Sequence, residues 1–163
     1  MTISLQNASA GNLCLGNYTL SGLTGAATTF TSVAVPFAIR GQAFTRAVNT
    51  GAATPTTDAV TAAAITLVAN QARVLCWGAN AAGTNQIIAG PVKAWTDTTA
   101  LSTELQLPSL PDTFCLFATV VVKAGATTVG TWTVGSSNWN ATGIVVDPVV
   151  NRFSAPDAAI YTA

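Results

Sequence analysis

Apolar and polar positions along this chain alternate in twos, not at the spacing of a helix, and the alternation comes in short runs broken by turn residues. Val33, Val35, Phe37 and Ile39 alternate with small or polar neighbours, the signature of a strand with one buried face. Arg40-Gly41 then reads as a tight turn and Gln42 to Val48 as the returning strand. Pro36 has no N–H to give to a ladder, so the first strand is expected at a sheet edge or a bulge. Thr50 to Asp58 is a loop by composition. The alanines after Asp58 leave room for one short helix near 59–64, and Ile65 to Val68 reads as a strand. Arg73 to Trp77 is a further strand, with Asn80 to Gly83 as a hairpin loop and Thr84 to Ala89 as its return. Gly90-Pro91 stops that return, and Val92 to Trp95 is another short strand.

Pro108 and Pro111 make Leu107 to Asp112 an extended crossing segment. Phe114 to Val122 is the most apolar run and suits a strand buried on both faces. Lys123 to Ala126 is expected to turn and Thr127 to Val134 to return, with Trp132 and Val134 on one face. Ile144 to Val146 is the last short strand. Many short strands separated by turn signals predict an all-β, antiparallel β-sandwich of jelly-roll or immunoglobulin-like type. The expected organisation is an N-terminal arm (1–24), one sandwich domain (25–154) and a C-terminal tail (155–163). Val35, Phe37, Ile39, Val74, Cys76, Phe117, Val120, Val122 and Val134 are expected to line the interior between two sheets.

Composition narrows the functional classes. Half of the residues are hydrophobic, only 7% are charged, and the net charge is +0. Mean hydropathy is +0.47, yet no apolar run reaches the roughly 18–20 residues of a membrane helix. High hydropathy without a span fits two readings equally, apolar surface covered by neighbouring subunits or an alanine-rich core that raises the average. The near-neutral charge, poor at preventing self-association, adds to the first, and a homo-oligomer is the expectation. Arg40, Arg46, Arg73, Lys93, Lys123 and Arg152 are scattered. A nucleic-acid surface needs them clustered, so neither DNA nor RNA is an expected partner. Met1 to Ala10 has neither the basic residue nor the apolar block of a signal peptide, and no membrane association is expected.

Histidine is absent, which removes the usual general base and a common metal ligand. Cys14, Cys76 and Cys115 are far apart and flanked by apolar residues, as buried free thiols would be. The glycines of Gly125-Ala126-Thr127-Thr128-Val129-Gly130 have phosphate-loop spacing, but Thr131-Trp132 stands where Lys-Ser or Lys-Thr is needed. A carboxylate pair could in principle run glycoside hydrolysis, for which Glu104 and one of Asp58, Asp97, Asp112, Asp147 or Asp157 would have to converge in space. Three of those aspartates adjoin prolines, where turn formation accounts for them. The expectation is therefore a protein with no catalytic residue, no cofactor and no metal. Trp77 and Trp132 sit in strands and are expected in the core, whereas Trp139, in the polar loop Ser136 to Asn140, is the candidate contact residue.

Five blocks carry a resemblance. They are Ala69-Asn70-Gln71-Ala72-Arg73-Val74, Trp77-Gly78-Ala79-Asn80-Ala81-Ala82-Gly83, Leu110-Pro111-Asp112-Thr113-Phe114-Cys115, Val122-Lys123-Ala124-Gly125-Ala126-Thr127 and Gly135-Ser136-Ser137-Asn138-Trp139-Asn140-Ala141-Thr142-Gly143. Together they resemble a widespread group of tailed-bacteriophage virion structural proteins, over about Ala38 to Val146. The resemblance implies a virion component, made in the host cytoplasm, with no binding site to carry over. The expected role is a head decoration (cement) protein on the outer capsid surface, partnered by the major capsid protein and by copies of itself, for instance as a trimer. A head- or tail-fibre domain that binds host carbohydrate is the alternative, and a secreted carbohydrate-binding module is the third reading.

Overall fold

The computed structural model describes residues 12–23, 25, 29–95, 105–147 and 150–151. Its N-terminal half is a bent ribbon. β1 (Leu13–Cys14), β2 (Leu20–Ser21), β3 (Thr29–Ser32), β4 (Val35–Ile39), β5 (Gln42–Arg46) and β6 (Asn49–Ala53) form two three-stranded sheets, ordered β1-β4-β5 and β2-β3-β6. The register runs on from one sheet to the other. Cys14 faces Phe37 and Leu20 faces Ser32, while Val35 faces Arg46 and Ser32 faces Asn49. The two sheets are thus halves of one three-strand meander, bent near Val33-Ala34 and Ala47-Val48. At its tip, Arg40 (φ 51) and Gly41 (φ 76) both take left-handed conformations, the turn whose twist matches a two-residue hairpin.

Three expectations change here. Thr50 to Ala53 is strand, not loop. Small threonine, glycine and alanine side chains give no alternation, but their backbone groups find a ladder in β3. Pro36 lies in the middle strand of its sheet. Its carbonyl accepts from the Leu15 N–H at 2.9 Å, after which the N-terminal strand leaves the ladder, so the missing donor falls where no partner is required. Residues 12–23, expected as part of an arm, are built into the fold, with Cys14, Tyr18, Leu20 and Leu23 buried.

The remaining strands are β7 (Thr66–Leu67), β8 (Gln71–Asn80), β9 (Asn85–Ala89), β10 (Lys93–Ala94), β11 (Phe114–Ala124), β12 (Trp132–Thr133), β13 (Ile144–Val146) and β14 (Val150–Asn151). β8 and β11 are the long central pair. β9 and β10 share the free side of β8, and β13 and β14 share the free side of β11. The described residues include no helix. Where a helix was expected near 59–64, a turn follows Asp58, Thr57 bridges Ala64, and Ala62 takes φ 57, which ends any helical progression. Thr127 to Val134 does not return along β11, because β13 takes that place. Its end forms β12 instead, which pairs with β7.

The meander packs over β8 and β11 to make an antiparallel sandwich. Phe37 and Tyr18 meet Phe117 at ring-centroid distances of 5.3 and 4.9 Å, and Phe30 meets Trp77 at 4.9 Å. A bulge in β11 sets this contact. Leu116 faces Gly78 and Ala118 faces Trp77, so Phe117 is the extra residue. The inward positions accordingly switch from Cys115 and Phe117 to Ala118, Val120, Val122 and Ala124. Gly78 is required at the bulge, since a Cβ there would run into the Cys115 carbonyl and the Phe114 ring. All nine expected core residues are buried. Val74 and Cys76, however, lie on the opposite face of the central sheet, in a smaller cluster with Ile88 and Phe114. β8 is buried on both faces, so alternation could not assign its inner side.

Candidate functional site

Trp139, the candidate contact residue, is 1% exposed. Its polar loop folds inward because the backbone is tied down around it. The Ser137 N–H donates to the Thr133 carbonyl at 2.8 Å, the Thr133 N–H donates to Ser137 Oγ at 3.0 Å, and the Trp132 indole N–H donates to the Asn138 carbonyl at 2.9 Å. The Trp139 ring then lies 5.3 Å from Trp132 and 6.4 Å from Trp77. It is a core residue, and an exposed contact role for it is excluded by that burial. Trp77 and Trp132 are buried as expected.

Among the described residues, the charged side chains other than Lys93 are engaged within the chain. Arg40 pairs with Asp112, and Lys123 pairs with Asp147 while its ammonium lies 5.8 Å from the centre of the Trp95 ring. Arg46 donates to Asn85 Oδ1 and Asn49 Oδ1, and Arg73 donates from two nitrogens to the Gly90 carbonyl. Asp58 is buried. One carboxylate oxygen accepts from the N–H groups of Val60 and Thr61 and from the Thr61 hydroxyl, and the other accepts from the Ala89 N–H at 2.7 Å. Burial pushes its pKa up, but these hydrogen bonds outweigh burial and hold it below the ordinary carboxylate value. Among the described residues only Lys93 has neither an ion pair nor a hydrogen bond through its charge. The aspartates weighed as a catalytic pair are thus each committed elsewhere, while Asp97, Glu104 and Asp157 lie outside the described residues. The Gly125–Thr131 segment leads into β12, with no helix for a phosphate to cap.

All three cysteines are buried. Burial, with Cys14 nearby, pushes the Cys115 thiol up to about 12, and burial likewise raises Cys14. Neither is a nucleophile at neutral pH. Among the described residues no cluster of acidic or sulfur ligands could hold a metal ion.

One cleft lies where the meander tip meets the β8–β9 turn. It has a volume of about 330 Å³ and is lined by Ile39, Arg40, Gln42, Phe44, Asn80, Ala81, Ala82 and Thr113. The walls are fixed by local hydrogen bonds. Asn12 Oδ1 accepts from the Arg40 N–H, and Asn12 Nδ2 donates to the carbonyls of Asp112 and Phe114, so the tip is tied to the start of β11. Asn80 Oδ1 accepts from the N–H groups of Ala82 and Thr84 and shapes the opposite turn. Phe44 stacks on Phe37 at 5.5 Å, which holds its ring at the cleft. A sequence reading missed this group because its members come from distant turns. A second cleft, of about 260 Å³, lies beside Thr128, Val129 and Trp132.

No protein-family model, curated protein or solved structure matches this chain.

Proposed function

We propose that the protein is a structural component of a tailed-phage virion: a decoration protein that binds the outer face of the assembled head and stabilises it. It acts without catalysis, cofactor or metal. Its partners are the major capsid protein and further copies of itself in a small symmetric oligomer, for instance a trimer.

The observation that supports this reading most is the way the charges are held. Among the described residues every charged group but Lys93 has a partner within the chain, so the described surface carries little unpaired charge and stands on a β-framework. Exposed apolar side chains such as Val48 (63%) and Val129 (90%) stand on it. Such a surface suits permanent attachment to another neutral surface. Binding the closed shell more tightly than free subunits stabilises the shell by mass action. An oligomer that touches several capsid subunits must also be detached before the shell can rupture. With few ion pairs to screen, attachment should depend only weakly on salt.

The test compares particles prepared with and without this protein. The decorated particles should survive higher temperature or stronger osmotic shock, and the protein should label the head surface in electron micrographs. Equal resistance, with the protein at the tail tip, would transfer the proposal to a host-contacting fibre domain.

A further inference from the structure

We infer that the cleft between the Arg40-Gly41 tip and the β8–β9 turn is a binding site for a single neutral saccharide ring. The inference does not depend on where in a particle the protein sits.

Four features support it. The volume of about 330 Å³ lies at the small end of the roughly 300–1,000 Å³ range of ligand pockets, enough for one ring and not for an extended chain. Phe44 offers an aromatic surface. Phe37 supports it from within the core, and a sugar's C–H face packs on such a ring with little loss of conformational freedom. The polar groups at the cleft are the kind that suits hydroxyls. Asn80 accepts through Oδ1 on the turn; among the described residues the Gln42 side chain, the Asn80 NH₂ and the Thr113 hydroxyl have no hydrogen-bond partner. Together these put amide and hydroxyl donors and acceptors at one cleft, the groups that hydrogen-bond sugar hydroxyls. The fourth feature is charge. Arg40 lies at the cleft but is paired with Asp112, so the site has no net charge to attract an anion or a cation. Ala81 and Ala82, with small side chains, also line the cleft.

The experiment uses the full chain and saturation-transfer difference NMR. The probes are the methyl glycosides of glucose, galactose, mannose and N-acetylglucosamine, with glucuronic acid as the charged comparison and cyclohexanol as the apolar one. Ala82→Trp fills the cleft from an exposed turn position and leaves the Phe37–Phe44 stack intact. Gln42→Ala removes the free amide. At least one neutral glycoside should give ring-proton signals at about 1–10 mM. Ala82→Trp should abolish those signals, and Gln42→Ala should weaken binding about five- to tenfold, the loss expected of one hydrogen bond. Both variants should keep the thermal midpoint of the parent. If Ala82→Trp fails to fold, the double variant Gln42→Ala/Thr113→Ala replaces it, with the same loss expected. The inference is overturned if no neutral glycoside gives a signal, if the signal survives in the folded variants, or if glucuronic acid or cyclohexanol binds as well as the best glycoside. None of these outcomes bears on attachment to a shell.

Discussion

Replacing Asp58 tests the most connected polar group in the fold. Its carboxylate joins the 58–61 turn to the Ala89 N–H of β9, the outer strand beside β8. Asp58→Asn keeps the shape and one acceptor oxygen, so the turn bonds can persist. The new NH₂ then faces the Ala89 N–H, donor against donor, and a hydrogen bond to a charged acceptor is lost. An unsatisfied buried donor costs about 1–3 kcal/mol, and we expect a loss in that range. Asp58→Ala also removes the turn bonds, but Val60 is 58% exposed and water can replace part of them, so about 2–4 kcal/mol is expected. For a chain of this size the alanine variant should melt roughly 5–15 °C lower.

The pH dependence follows from the direction of the shift. The folded pKa is depressed, so the charged carboxylate adds stability that is full above the unfolded value of about 3.9 and is lost as pH falls through the lower folded value. The gap between wild type and Asp58→Asn, measured by urea unfolding, should therefore be largest near neutral pH and narrow below about pH 4. A gap under about 0.5 kcal/mol at pH 7, or one that does not narrow by about pH 2.5, would refute the role given to this carboxylate.

Phe117→Ala should cost about 3–5 kcal/mol in urea unfolding, because the ring is wholly buried between Phe37 and Tyr18 at the bulge; a loss below about 1 kcal/mol would contradict that packing. Gly78→Ala should destabilise by at least about 2 kcal/mol or prevent folding, since backbone and not a flexible side chain blocks the added methyl; a soluble variant with an unchanged midpoint would remove the reason given for the glycine. Cys14, Cys76 and Cys115 should react with a thiol reagent slowly in the native protein and fast in denaturant, and rapid native labelling of all three would contradict their burial. Asp112→Ala should change stability by less than about 0.5 kcal/mol, as the pair it forms with Arg40 is solvent-exposed; a larger loss in thermal unfolding would show the pair to be more than a surface contact.

Some of this protein was determined by sequence alone. The alternation Val35-Phe37-Ile39 and the Arg40-Gly41 turn specify the β4–β5 hairpin, because one face and one pair of dihedrals encode it locally. The apolar run of β11 specifies a buried central strand, and the apolar flanks of the cysteines specify buried thiols. Only the tertiary structure decided the rest. β6 has no pattern of its own and becomes a strand because β3 is beside it. Val74 and Cys76 face away from the main core because β8 is apolar on both sides, and periodicity is silent where both faces are buried. The bulge at Phe117 reverses the inward set midway along β11, and it depends on Gly78 across the ladder. Trp139 is drawn from a polar loop into the core because its neighbours Ser137 and Asn138 are bonded to Thr133 and Trp132. The cleft, too, is built from turns far apart in the chain. Face and turn are written in neighbouring residues, whereas partner choice depends on which distant segments can be buried together.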